Sequence, residues 1–420
     1  MDSILPYFSF LRRGVSSSAG SGHIDLPSVE IHNVETAPDK RPRTLKHLLR
    51  ANHVNHSILY HSLQFDNHMP HILSSAYLLG ASAEQLHRIY DEEAKELEAW
   101  EPSPGEVSLE DWRDCLGRRE YQRAYVDFFE DMLALRHQYD WKNVVESFMF
   151  DGKEPLVHCL VAGLGHPLIH LAYAYEVDNK EVAMEALGLA ACQYNFMHKY
   201  LDDPSYTKPV ADGKTSSTPL ELLNKMSSDP RLKSLFKEPG LDNLNQLFDK
   251  HEDLVLEYWN AWDIDPSHNS NVDPTQQFQL SQEAAVSLLV ATIAPGTHGY
   301  NFFTVHLLTT SHAARVLLPL IPQQFHIALV RQWWLLVIAV YASLLCPKID
   351  PDYVRPGELV KGRSWNYVVD KALNGPHATD AHFVKAVRAM KEAAQTWGDV
   401  HEHYLASALR FVDDFEGWAF

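Results

Sequence analysis

Histidine is the residue through which this chain would do chemistry. It occurs 24 times, against 18 Tyr and 18 Phe, and several copies lie inside apolar helical stretches where an ionisable ring needs a partner. Four stretches stand out. In NHMPHILSSAYLLGAS, His68 comes just before Pro70, a residue suited to the first turn of a helix, and His71 follows at i+3. In LVHCLVAGLGHPLIHLAYAYE, His166 and His170 stack on one helix face, His158 is two turns earlier, and Pro167 is expected to bend the helix. In THGYNFFTVHLLTTSHAARVLLP, His306 sits amid Phe302, Phe303, Leu307 and Leu308, with Thr310 one turn on. In ATDAHFVKAVRAM, Thr379 or Asp380 can cap a helix that carries His382 and Lys385 on the same face.

A neutral imidazole is a good ligand for iron, zinc, copper or nickel, and bundle interiors build metal sites from inward side chains on facing helices. Taken alone, each of these residues is more simply a core histidine bonded to a backbone carbonyl. Taken together, four separate helices could each offer one ligand. The cluster ANHVNHSILYHS warns against counting every histidine: the polar surroundings of His53, His56 and His61 suit an exposed or substrate-facing role as well as ligation. His401 and His403, in DVHEHYLAS, are expected to face solvent.

The elements that must position these residues read as helices. Helical spacing runs over 44–63, then 71–79 up to Gly80, and Ser82 with Gln85 has the spacing of a capping box. It returns over Leu109–Arg136 and at about 155–200, 282–292, 300–320, 324–346 and 380–409, with few alternating runs that would signal strands. The segments 202–218 and 262–275 have the composition of surface loops or lids. The expected architecture is all-α, a large bundle-like single domain over 26–420 with a metal site between helices, preceded by a flexible tail over 1–25 that contains a Ser/Gly run.

Bulk properties narrow the partners. A formal net charge of −19 repels nucleic acid and anionic membrane surfaces, so neither is expected as a partner. The longest apolar run, Trp333 to Cys346, is shorter than the roughly 20 residues of a membrane span and reads as a buried helix. Cys115, Cys159, Cys192 and Cys346 are scattered without a C-x-x-C pair, and the first residues lack a signal-peptide core, which fits a reducing, cytoplasmic setting. Oligomeric state is left open.

Read together, N-H-x-P at 67–70, H-P-L-I-H at 166–170, H-L-L-T-T-x-x-x-A-x-x-x-L-P from 306 and D-x-H-x-x-K at 380–385 resemble the questin oxidase-like family. That family includes enzymes of aromatic polyketide pathways, chiefly fungal, that open anthraquinone-type rings or insert oxygen in a Baeyer-Villiger sense. The resemblance implies a non-heme Fe(II) oxygenase that acts with O2 on a small aromatic polyketide in secondary metabolite biosynthesis. Carried over by position, the ligands are His68, His166, His306, His382 and Lys385, with His71 and His170 in catalytic or substrate-binding roles beside them. An ammonium has no lone pair, so Lys385 can bind a metal only as the neutral amine or as a carbamate formed with carbon dioxide. The ordinary alternative is an ion pair with Asp380 or another acid. Five protein ligands leave one octahedral position, so the substrate would sit beside the metal against flat walls for which Phe302, Phe303, Tyr173, Tyr194 and Trp334 are available.

Three rivals remain at this level. An NADPH-dependent Baeyer-Villiger monooxygenase needs a dinucleotide fingerprint, which GLGHPL at 163–168 lacks. A non-enzymatic helical scaffold would use its acidic surface to bind a basic protein. Hydrolytic zinc chemistry is weaker, because H-E-x-x-H is absent and His401-Glu402-His403 has the wrong spacing.

Overall fold

Each apolar stripe at helical spacing must be buried against another, and the chain does this by wrapping its helices around one continuous core. The computed structural model describes residues 22–208 and 218–420, so the expected tail lies outside the described residues as far as residue 21, and the middle of the 202–218 segment also falls outside them. At the beginning of the described chain Ile24 is already buried, with its N–H directed to His326 Nδ1 at 3.4 Å.

The helices that build the centre are α1 (Lys40–Asn55), α2 (Met69–Leu79), α3 (Ala83–Glu93), α4 (Gln122–Leu135), α5 (Ala162–Glu176), α6 (Lys180–Cys192), α7 (Phe302–Leu317), α8 (His326–Ser343) and α9 (Ala381–Trp397). Four of them form a closed cycle in which α2 packs on α5, α5 on α7, α7 on α9 and α9 back on α2. Their inner faces therefore enclose one space. A buried ion pair crosses the cycle: Arg388 on α9 donates from Nη1 to Glu176 Oε2 at 2.8 Å and from Nη2 to Glu176 Oε1 on α5. The helix Pro274–Val290 backs α7, and His403–Asp414 backs α9.

The strands among the described residues are short. β1 (Leu59–Tyr60) pairs antiparallel with β2 (Phe65–Asp66), and β3 (Gly299–Asn301) pairs parallel with β4 (Gly417–Ala419), which brings the end of the chain to the start of α7. The segment Gln323–Ser343 is long and apolar enough to cross a bilayer by length and composition, yet 89% of its most apolar window is buried inside the protein. Trp333 and Trp334 fill the core from it.

Where helical spacing over-ran the helices, local backbone geometry explains the stop. The first pattern was expected to reach 63, but α1 ends at Asn55 because the chain turns into the β1–β2 hairpin through His61, Ser62 and Leu63 at φ 53°, 57° and 63°. The 155–200 pattern divides into a 3-10 turn (Leu156–Cys159), α5 and α6, and the 380–409 pattern breaks at Gly398, φ 75°. The capping box at Ser82 is formed, with Ser82 Oγ accepting from Gln85 N–H and Gln85 Oε1 accepting from Ser82 N–H.

Candidate metal centre

Each of the four histidines is delivered by a distinct device at a helix start. His68 is the N-cap residue of α2, with Pro70 in the first turn. Asn67 holds that turn: its Nδ2 donates to Asn52 Oδ1 and Ser57 O, both at 3.0 Å, and its Oδ1 accepts from Met69 N–H. His306 lies one turn into α7, whose first N–H groups, of Phe303 and Thr304, are capped by Asn301 Oδ1. His382 opens α9 under the cap of Asp380, which accepts from His382 N–H and Phe383 N–H; Asp380 rather than Thr379 plays that part.

His166 has the most unusual entry. Gly163, Leu164 and Gly165 run through the left-handed region at φ 56°, 57° and 80°, so the helix proper starts beside Pro167. The expected proline bend inside a continuous helix is thus replaced by a break before it, where a ring without an N–H is tolerated in the first turn. A Cβ on Gly165 would come within 2.2 Å of Thr310 Cγ2 on α7, so the glycine also permits the close approach of α5 and α7. His158 belongs to the separate 3-10 turn and bonds Asp202 Oδ1 at 2.6 Å, away from the centre.

These entries bring one ring nitrogen each of His68, His166, His306 and His382 within 4.8 Å of one another, in a buried cluster that could hold a metal ion. The Nε2 atoms of His68 and His166 are 2.9 Å apart, and those of His306 and His382 are 3.2 Å apart. His166 Nδ1–H donates to Gly163 O at 2.5 Å and His306 Nδ1–H to Phe302 O at 2.9 Å, which leaves each Nε2 with its lone pair directed inward. Inward lone pairs this close repel unless a cation lies between them, and metal–nitrogen bonds of about 2.1 Å set adjacent octahedral ligands about 3 Å apart. The donor set fits a metal.

Protonation agrees with that fit. Burial pushes His68, His306 and His382 well below the usual imidazole range and lowers His166 as well, with the Lys385 charge adding to each. The neutral ring is the form that ligates. Lys385 itself is 1% exposed, and burial drives it down to about 7 against the charges of Asp380, Asp66 and Glu93. Its Nζ has no hydrogen-bond partner among the described residues. The ion pair to Asp380 is not formed; Asp380 Oδ2 instead accepts from Trp418 Nε1 at 2.7 Å.

His71 and His170 stand beside the cluster. The His71 ring is 5.4 Å from that of His68 and 6.0 Å from that of His166, while its Nε2 bonds His170 Nδ1 at 2.8 Å. His170 Nε2 in turn bonds Glu185 Oε2 at 2.9 Å. Glu185 was not singled out from sequence, although a lone carboxylate in the apolar run VAMEALGLAAC is a signal that could have found it. His53 is buried at 5% exposure between Glu185 and Glu130, in contrast to its polar sequence neighbourhood. His401 and His61 are exposed as far as that reading went, whereas His56 and His403 are half-buried.

A cavity of about 440 Å³ opens beside His68 and His382. Tyr60, Phe65, Phe302 and Trp418 give it flat walls, and Glu93, Thr379 and Asp380 give it polar groups. Glu93 is raised to about 7 by burial and by the nearby Asp380 charge. Of the aromatic residues considered for such a wall, Phe302 lines it. Trp334 packs with Trp262 and Trp333, Tyr194 stacks on His198, Tyr173 lies against His71, and Phe303 is beside Phe420. Phe65 and Trp418 arrive on β2 and β4, too short to have been read from spacing.

The family profile described as questin oxidase-like matches residues 65–390, a span that begins just before His68 and ends just after Lys385. The chain belongs to the questin oxidase-like family. With its relatives it is an oxidoreductase. It is 25% identical over 388 residues to the Baeyer-Villiger oxidase mdpL of Emericella nidulans, covering 88% of this chain and 85% of that protein. It is 24% identical over 404 residues to a Baeyer-Villiger oxidase of Pestalotiopsis microspora, covering 88% and 86%. A questin oxidase of Aspergillus fumigatus is 28% identical over 166 residues, 38% of this chain and 37% of that protein.

Proposed function

We propose that this protein is a non-heme iron oxygenase that uses O2 to cleave a ring of an anthraquinone-type aromatic polyketide in secondary metabolism. The single observation that carries the reading is the convergence of four inward ring nitrogens within 4.8 Å inside a buried space. His68, His166, His306 and His382 would hold the ion, and Lys385, as its carbamate, would add an oxygen ligand. A ferrous ion so held would supply the activation of dioxygen.

The chain's own residues do the rest. Gly163 O and Phe302 O lock two ligand rings in the ligating tautomer, and burial keeps all four neutral. An unpartnered, near-neutral amine at Lys385 is the form that adds carbon dioxide, which would give the orphaned group two acceptor oxygens. Phe302, Phe65 and Tyr60 suit a flat aromatic ring, and Trp418 extends the same wall. Glu93, raised to about 7, has its protonated form available near pH 7, and in that form it can donate to a ring carbonyl or quinone oxygen and so orient it toward His68 and His382.

The relatives support the reaction class, since two of them are named for Baeyer-Villiger chemistry, which inserts oxygen beside a carbonyl carbon, and another for questin oxidation. A flavin-type Baeyer-Villiger monooxygenase that depends on NADPH would use a parallel dinucleotide-binding sheet, whereas the strands among the described residues are two or three residues long and pair only two at a time. The test is turnover of hydroxyanthraquinones under 18O2 with iron as the added metal and no nicotinamide. A ring-opened product carrying 18O supports the reading; oxygen uptake only when NADPH is supplied overturns it.

A further inference from the structure

The hydrogen bonds of His71 and His170 do not stop inside the core. His71 Nε2 meets His170 Nδ1 at 2.8 Å, His170 Nε2 meets Glu185 Oε2 at 2.9 Å, Glu185 Oε1 meets His53 Nδ1 at 2.9 Å, and His53 Nε2 meets Glu130 Oε1 at 3.0 Å. The line crosses α2, α5, α6, α1 and α4 in turn. The Glu185 and His170 side chains are each 1% exposed and that of His53 6%, whereas the Glu130 side chain is 41% exposed and reaches water. At the inner end, the remaining nitrogen of His71, Nδ1, is buried with no hydrogen-bond partner among the described residues, beside the rings of His68 and His166. Five groups joined end to end at hydrogen-bond length, with one end wet and the other unsatisfied next to the metal cluster, have the form of a conductor rather than of isolated core pairs.

We infer that Glu130, His53, Glu185, His170 and His71 form a proton path between the surface and the metal centre. Each member offers an acceptor on one side and a donor on the other. The relay runs from the state in which the proton shared by His53 and Glu185 sits on Glu185 Oε2, leaving His53 neutral with its proton on Nδ1. A proton taken up at His53 Nε2 from Glu130 is then matched by one passed from His53 Nδ1 to Glu185 Oε1, the carboxyl releases the one on Oε2 to His170 Nε2, and His170 Nδ1 hands one to His71 Nε2. The net change is one proton entering at Glu130 and one leaving at His71 Nδ1. No electron moves, and the reverse sequence exports a proton. The two carboxylates flanking His53 favour its charged form, which overcomes burial and suits it to load protons at the outer end.

The existence of the path is independent of which metal is bound; its use, to supply or remove protons as O2 is reduced at the cluster, rests on the oxygenase reading. A test that follows protons rather than turnover separates the two. In protein with 15N-labelled histidine, loaded with diamagnetic Zn(II), the hydrogen exchange of the His71 and His170 ring N–H groups is compared with that of backbone amides in α2 and α5. The path predicts that the ring protons exchange far faster than those amides, and that His53→Phe slows them by more than about tenfold while amide protection stays unchanged. Glu130→Gln, at a half-exposed position that leaves the core intact, is expected to slow them in the same direction. Ring protons as slow as the amides, or a rate untouched by both substitutions, would overturn the proposal. Failure to load metal while ring exchange stays fast would instead count against the metal reading alone.

Discussion

Lys385 is the residue whose chemistry departs furthest from its type. A buried lysine with no hydrogen-bond partner among the described residues is costly as an ammonium, and its fall to about 7 makes the neutral amine available near physiological pH. We predict that Lys385→Ala weakens metal binding at least about tenfold, and that millimolar short-chain carboxylic acids restore part of it by filling the vacated oxygen position, as followed by metal titration. His53 gives a residue-scale test of the electrostatics. Burial would lower its pKa, but the hydrogen bonds and charges of Glu130 and Glu185 raise it from 6.5 to about 10 in the fold. A group raised in the folded state contributes its stabilisation fully below pH 6.5 and loses it as pH climbs through 10. The thermal midpoint of the wild type should therefore fall more steeply across that window than that of His53→Gln; parallel curves would remove His53 from the account. His68, His166, His306 and His382 could be picked out from the sequence because each sat in a predicted helical stretch and on a motif of the questin oxidase-like family, with a helix-start signal beside His68 and His382 only. Glu185 and His53 could not be paired there, since their contact joins α6 to α1 across 132 positions and leaves no local pattern.

At the scale of elements, the entry to α5 and the tie between α5 and α9 decide whether the four rings meet. Gly165→Ala introduces both a left-handed alanine and a clash with Thr310, and we predict a loss of about 1–3 kcal/mol in stability together with loss of metal, because His166 is next in the chain. Adding Thr310→Ser removes the contacting methyl and should return part, though not all, of the stability in a denaturant titration. Arg388 and Glu176 are both nearly fully buried, so Arg388→Met alone leaves an unpaired carboxylate and should cost about 3–5 kcal/mol, whereas the double variant with Glu176→Gln should recover most of it. Helix starts were the most readable feature of the sequence: Ser82, Pro70 and Asp380 act as caps or first-turn residues as their types dictate. Helix ends were less so. Nothing in the spacing of 56–63 opposes a helix, and the hairpin wins because Leu59 and Tyr60 can pair with Phe65 and Asp66, a non-local gain.

For the whole molecule, the sequence carried the helical class and the closing of a site between helices, whereas the cavity wall depended on tertiary arrival. Trp418 reaches His382 only because β4 pairs with β3 at the head of α7, more than a hundred positions away in sequence. The proposed ligands span residues 68 to 385 and belong to a cycle of four helices, so metal binding would be coupled to the folding of most of the chain. Removal of metal with a chelator should lower the midpoint of one cooperative melt, by an amount that grows with the free metal concentration used in the loaded sample. The most direct measurement of the central claim is elemental analysis of wild type and His306→Ala, purified without chelator or affinity-tag nickel. The account predicts about one iron per chain in the wild type and its loss in a folded variant; an active wild type without metal, or a variant that keeps its iron, would contradict it.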